Sequence, residues 1–341
     1  MPERRAVGIK DVAHEAGVSV GTVSNVLNQP DRVSVPTRRH VQQVIARLGY
    51  VRSEYARQLR AGHSRIVALL VLDAGNPFFV DVARGAERAA RDAGLGVMVC
   101  NSAQDPAEEA EYLGLFAEQR VRGALITPAD PSGATLRDFR RHGIPYVVVD
   151  RTTDTEEGCS VAVDDVSGGA LALGHLVAGG HRSLAFVSGP PHLPQVRDRR
   201  EGARKALTEA GLPGRLLREL PTERLDVAAG RDAGARLLGL ADRPTAVFCA
   251  NDLLALGVLQ ALYAAGVRVP DDISLVGYDD IEFAAAATVP LTSVRRPAVA
   301  LGAIAAGLLL QETGERAARH RHQHVVLRPE LVVRGSSRAR A

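Results

Sequence analysis

The chain lacks several residues and patterns that would settle its class at once. It has no tryptophan, two lysines (Lys10 and Lys205) and three cysteines in 341 residues. Cys100, Cys159 and Cys249 are odd in number and lie far apart in no ligand-like spacing, which fits a reducing cytoplasm better than a disulfide framework. No apolar run is long enough to cross a bilayer, and no apolar stretch follows the Met1-Pro-Glu-Arg-Arg5 start, so neither a membrane span nor a secretory signal is expected. There is no repeat of solenoid period and no low-complexity tract. No G-x-G-x-x-G follows the first apolar strand, and the Gly-Gly pairs at 168–169 and 179–180 are followed by no Lys-Ser/Thr. No nucleophile elbow is visible either. These absences argue against a nucleotide-dependent or hydrolytic enzyme, and no cofactor is expected. What remains is an ordinary globular composition, 46% hydrophobic and 24% charged, in a chain long enough for two or three domains.

The small net charge of +3 conceals an asymmetry. Residues 1–65 hold eleven Arg/Lys against five Asp/Glu, a net +6, whereas the rest of the chain carries −3. A basic head on a slightly acidic body points to a polyanion that meets the head alone. The head also has the strongest helical pattern. Val12, Ala13 and Ala16 recur at helical spacing, Gly17 interrupts, and Ser19 can cap a second helix carrying Val23, Val26 and Leu27. A third amphipathic segment, about 35–48, places Val41, Val44, Ile45 and Leu48 on one face. This is a helix-turn-helix pattern, which offers one helix to the DNA major groove. Beyond it, Ser53 can cap a short helix that Gly62 can end, and so short a helix is marginal in water by itself.

From residue 66 the texture changes to alternating buried-strand runs and helical segments. Strands are expected at 66–73, 95–102, 123–127, 146–150, 160–163, 184–188, 246–250 and 273–278, enough for two doubly wound parallel sheets. Asp73, Asn101, Asp150, Asn251-Asp252 and Asp279-Asp280 fall at or just past the carboxyl ends of these strands, where open α/β sheets bind ligands. Some such residues only cap helices, a role that suits Asp252 and Asp280. The group as a whole suits a polar, hydroxyl-rich small molecule. His320, His322 and His324 alternate and could share one strand face. No acidic or cysteine ligand neighbours them in sequence, so an exposed connection is the favoured reading over a metal site.

With these residues in hand, the chain resembles the lac repressor (LacI/GalR) family of bacterial transcription regulators over nearly its whole length. The resemblance is carried in the head by Ile9-Lys-Asp-Val-Ala13, Ala16-Gly-Val-Ser19, Thr22-Val-Ser24, Val26-Leu-Asn28 and Leu48-Gly-Tyr50. In the body it is carried by Asn76-Pro-Phe-Phe79, Arg197-x-Arg199, Ala250-Asn-Asp252 and Val276-Gly-Tyr-Asp-Asp280. It implies an all-α helix-turn-helix domain at 1–51, a hinge helix and linker at 52–64, and a two-lobed, periplasmic-binding-protein-like body at 65–341. The implied lobes are about 65–162 with 293–324, and 163–290 with 325–341, joined near 162–164, 289–293 and 324–326.

The resemblance also assigns roles. Val20, Gly21 and Asn25 match base-reading positions, Asn25 pairing with adenine and Val20 touching a thymine methyl. Thr22, Ser24 and Asn28 match phosphate or capping positions. Leu59 matches the hinge residue that wedges into the minor groove, and Arg52 departs from the proline common there. Arg199 matches the effector-contacting arginine, and Asn251 and Asp279 match residues that bond sugar hydroxyls. Asp150, Asp73 and Phe78 complete the expected pocket. The implied function is a cytoplasmic homodimeric repressor, bound to palindromic double-stranded operator DNA and controlled by a small polar effector, sugars first. The C-terminus carries no heptads, so no further association is expected. The competing readings are a solute-binding protein without gene control, which the basic head opposes, and an enzyme.

Overall fold

The computed structural model describes residues 7–51, 64–130, 132–153, 158–314 and 317–340. Arg52, Ser53 and Leu59 therefore lie outside the described residues. Backbone contacts divide the chain between Ser64 and Arg65 into two units.

Among the described residues the first unit holds three α-helices: α1 (Ile9–Glu15), α2 (Val20–Asn28) and α3 (Val35–Leu48). Gly17 makes the turn between α1 and α2 with a positive φ of 62°, a conformation that costs glycine nothing. Ser19 caps α2, its Oγ accepting from the Thr22 backbone N–H at 3.0 Å, and Ser34 caps α3 in the same way. Gly49 ends α3 in the left-handed conformation. The expected stripes meet in one small core of Val12, Ala13, Ala16, Val23, Val26, Val41 and Val44.

The second unit contains two six-stranded sheets. The first has the order β11-β5-β4-β3-β1-β2, all parallel: β1 (Ile66–Val71), β2 (Gly96–Asn101), β3 (Gly123–Ile126), β4 (Tyr146–Val149), β5 (Cys159–Val163) and β11 (His324–Leu327). The second has the order β12-β10-β9-β8-β6-β7: β6 (Leu184–Ser188), β7 (Leu217–Pro221), β8 (Ala246–Cys249), β9 (Ser274–Asp279), β10 (Thr292–Arg295) and β12 (Glu330–Val332), the last antiparallel to β10. Both faces are covered by helices, as parallel sheets require. Along β1, Val67, Leu69 and Val71 join one core, and Ala68 and Leu70 join another on the opposite face.

The chain passes between the sheets at 164, 296–297 and 328–329. The second and third passages fall later than the expected 289–293 and 324–326. Thr292-Ser-Val-Arg295 and Glu330-Leu-Val332 are short and partly polar, so hydrophobic patterning does not mark them as strands. Strand β7, with Arg218 and Glu219 between Leu217 and Leu220, escaped for the same reason.

Helices α4 (Pro77–Asp92), α5 (Pro106–Glu118), α6 (Ala134–Arg140), α7 (Asp165–Ala178), α8 (Pro194–Glu209), α9 (Val227–Leu238), α10 (Asp252–Ala264), α11 (Glu282–Ala286) and α12 (Ala298–Thr313) complete the unit. Gly169 of α7 and Gly202 of α8 let these two helices touch backbone to backbone: a Cβ on Gly202 would clash with the Val166 carbonyl, and one on Gly169 with that of Arg199. This contact holds the first turns of α8, and with them Arg199, against the start of α7. Gly202→Ala is therefore expected to destabilise the second unit by about 1–3 kcal/mol through overpacking. Urea denaturation checks this, and an unchanged midpoint would contradict the close approach.

Candidate functional site

The carboxyl ends of both sheets face one narrow cleft, closed down to about 30 Å3 of enclosed space. Asp73, Asp150, Arg199, Asn251 and Asp279, all expected from the sequence, line it. So do Asn76, Phe79, Gln104, Gln195 and Arg296, which were not expected. Phe78 is not part of this lining. It is buried in the core, and the Arg296 guanidinium lies 3.8 Å above its ring, whereas Phe79 borders the cleft. Neighbouring residues at the start of a helix point about 100° apart. Both positions are phenylalanine, so residue type does not tell which one faces the cleft.

Arg296 is the centre of the arrangement. It is 4% exposed and sits at the passage from β10 to α12. One terminal nitrogen pairs with Asp150, the other reaches Asp279 Oδ1 at 3.2 Å, and Nε is buried without a hydrogen-bond partner. Asp279 also accepts from Asn76 Nδ2 at 3.0 Å, which ties the two lobes across the cleft. Gln195 of α8 donates to the Asp150 carbonyl at 3.0 Å, and its own Oε1 is buried and unpartnered. Asp150 and Asp279 both have positive φ, 64° and 102°, so the strand ends are turned to aim these carboxylates at Arg296.

Arg199 forms a second group. Its Nε donates to Asp165 Oδ1 at 3.1 Å, its Nη1 to the Ala250 carbonyl at 2.6 Å, and its guanidinium lies 3.9 Å above the Tyr278 ring. Tyr278 donates its hydroxyl to the same Asp165 oxygen at 2.7 Å. Burial works against the Arg199 cation, but Asp165, Tyr278 and Asp279 outweigh it and hold its pKa above the ordinary arginine value. Its remaining terminal nitrogen has no partner among the described residues and is the group available to a ligand. Asn251 is less free than expected, since it caps α10 through Leu254 N–H and donates to the Leu225 carbonyl. Asp252 and Asp280 are not simple caps. Buried Asp252 joins the ends of β9 and β10 by accepting from Ile281 N–H and the Ser293 hydroxyl, and Asp280 pairs with Arg295.

The four carboxylates of Asp73, Asp150, Asp165 and Asp279 outnumber the two guanidiniums of Arg199 and Arg296 in and behind the cleft. Asp279 bears the strain: burial pushes its carboxyl up to about 6, opposed by Arg199 and Asn76. An aspartate in the unfolded chain titrates near 4, so the folded protein binds this proton first as pH falls. The group's contribution to stability therefore rises as pH drops from about 7 to about 4 and is lost as pH climbs back through about 6. Asp279→Asn should remove that increment. Unfolding midpoints of both proteins across this range check it, and parallel curves would refute it.

On α2 of the first unit, Val20 is 42% exposed, and Gly21, Asn25 and Asn28 are also exposed, beside the buried Val23 and Val26. The Asn25 amide has no intramolecular hydrogen bond among the described residues. Thr22 Oγ1 lies 2.9 Å from Ser19 Oγ within the cap, and Asn28 Nδ2 donates to the Ser24 carbonyl at 2.7 Å.

A helix-turn-helix unit joined in one chain to a two-lobed binding unit with a charged cleft defines a ligand-responsive DNA-binding regulator. Residues 8–53 match the bacterial regulatory proteins, lacI family, and residues 173–337 match the periplasmic binding protein-like domain. The HTH-type transcriptional repressor PurR of Photobacterium profundum is 32% identical over 329 residues, 96% of this chain and 98% of that protein. A transcriptional regulator CelR–cellobiose complex is 32% identical, with a TM-score of 0.71 over 97% of this chain and 100% of the other. A lac repressor dimer bound to operator and the anti-inducer ONPF is 28% identical, with a TM-score of 0.84 over 98% of this chain and 100% of the other. The chain belongs to the LacI family of bacterial transcription regulators. It is a DNA-binding regulator with a small-molecule effector site, and not an enzyme. Among the described residues no helix is long and apolar enough to cross a membrane.

Proposed function

We propose that the protein is a cytoplasmic homodimeric repressor that holds a palindromic operator through two copies of α2 and responds to a sugar or sugar derivative in the cleft. Leu59 of the hinge wedges into the minor groove at the operator centre. One observation carries the effector half: Arg199 and Arg296 are packed among Asp150, Asp165 and Asp279, with Asn76 and Gln195 beside them, at a lobe-to-lobe contact. Such alternating donors and acceptors fit a polyol, whose hydroxyls do both, better than an apolar or a singly charged ligand. The CelR relative, whose structure carries cellobiose, agrees with this class. The Asn76–Asp279 bond closes the cleft, so a ligand that competes for either residue alters the angle between the lobes. The coupling is reciprocal: an effector that loosens DNA binding must itself bind the DNA-bound form less tightly.

The test is operator selection from a random duplex pool, followed by a sugar screen for thermal stabilisation and then for a change in operator affinity. The expected outcome is a two-fold symmetric site, a steep loss of affinity with salt, and at least one sugar that shifts both readouts. Binding without sequence preference, or stabilising sugars that leave operator affinity unchanged, would refute the proposal.

A further inference from the structure

At the opposite end of the first sheet from the cleft lies a cluster that the regulatory reading does not use. Cys159 opens β5, and β11 lies parallel beside it, with His324 opposite Ser160. This pairing carries the preceding segment, with His320 and His322, over the cysteine. The Cys159 sulfur is 3.1 Å from His320 Nε2 and 3.8 Å from His322 Nδ1. Glu312, near the end of α12, supplies a carboxylate to the same spot, and one ligand atom from each of the four residues lies within 4.8 Å of the others. One observation sets the group apart from an ordinary hydrogen-bonded cluster. Glu312 Oε2 is buried and has no hydrogen-bond partner, an unfavourable state unless something else meets it. The Gln323 N–H donates to the Cys159 sulfur at 3.4 Å, which holds that sulfur in place beside the two imidazoles.

We propose that Cys159, Glu312, His320 and His322 form a four-ligand site for a zinc-class divalent cation that staples the end of α12 to the edge of the sheet. Zinc–sulfur and zinc–nitrogen bonds of about 2.3 and 2.0–2.1 Å at a tetrahedral angle separate sulfur from nitrogen by roughly 3.5 Å. The two observed separations bracket that value. One thiolate, two imidazoles and one carboxylate suit zinc and discriminate against magnesium and calcium, which take oxygen ligands. All four residues belong to different positions of one lobe, so the site adds stability to that lobe with no part in effector recognition.

The test uses full-length protein, free of any affinity tag, reduced and stripped of metal. One equivalent of cobalt(II) should give a thiolate-to-cobalt charge-transfer band and the intense visible bands of four-coordinate cobalt. Zinc should abolish both, and the melting temperature should rise with zinc concentration by mass action. His322→Ala, at an exposed position, should fold normally and weaken zinc binding by roughly 10–100-fold or more. Cys159→Ser should lose the charge-transfer band. No such band at saturating cobalt, or zinc affinity unchanged in His322→Ala, overturns the proposal.

Discussion

Replacing Arg296 by methionine is expected to lower the stability of the effector unit by about 3–5 kcal/mol, the cost of leaving a buried charge without its partner. Methionine keeps much of the volume over the Phe78 ring, so the loss is electrostatic and not a cavity effect. Asp150 keeps only Gln195 and Asp279 keeps only Asn76, both neutral donors. Each carboxylate then takes up a proton at higher pH, and the lobes lose their shared cation. Where the variant is still folded, operator binding should persist and effector response should vanish. Denaturant midpoints and an operator titration with and without effector check both halves. A stability change below about 0.5 kcal/mol, the range of an ordinary surface substitution, would show that Arg296 is not the hub of the cleft. The same logic applies to Arg199→Ala. It removes the proposed ligand donor and leaves Asp165 with the Tyr278 hydroxyl but without its cation, so a lost effector response there must be separated from lost folding by measuring stability alongside.

Much of this site was legible, for a definable reason. An aspartate just past a strand of buried aliphatics has few uses other than a cap or a ligand contact, so Asp150 and Asp279 stood out. The helix stripes of the head stood out because Val12, Val23 and Val41 have no alternative face. Arg296 obeys the same strand-end rule, but the strand before it, Thr292-Ser-Val-Arg295, is too polar to announce itself, and a basic residue after it reads as surface. Charged residues of either sign after any strand, not only acids after apolar ones, would have included both Arg296 and Asp165. Asn76 and Gln195 were hidden differently, since each lies at a helix start where polar residues are routine. The cluster at Cys159 was beyond reach of the sequence. Its cysteine and first histidine are 161 positions apart, and only the addition of β11 beside β5 brings them together. The histidines looked like a bare exposed connection because their cysteine and carboxylate neighbours are near in the sheet and distant along the chain.

Asn25→Ala should weaken operator binding by about 1–3 kcal/mol per head, the worth of one good bidentate base contact, while leaving effector affinity unchanged. With two heads on one operator, the loss is expected to reach roughly a hundredfold or more, with preference relaxed at one base pair in each half-site. The free state of its amide suits Asn25 to the proposed reading role, since a side chain already bonded within the protein would have to give that bond up before meeting a base. Asn28 supplies the contrast. Its amide donates to the Ser24 carbonyl and hydroxyl, so Asn28→Ala should fray the end of α2 and weaken all duplexes alike. Gly21 adds a third arm. A Cβ there would meet Ser19 Oγ at 3.5 Å, an ordinary contact, so longer residues fit without strain. Gly21→Arg should then keep the fold and acquire a preference at a base pair the native head ignores. Competition titrations against a panel of single-base operator variants distinguish these outcomes. Equal losses on every duplex for Asn25→Ala would place α2 on the phosphate backbone and not in the groove.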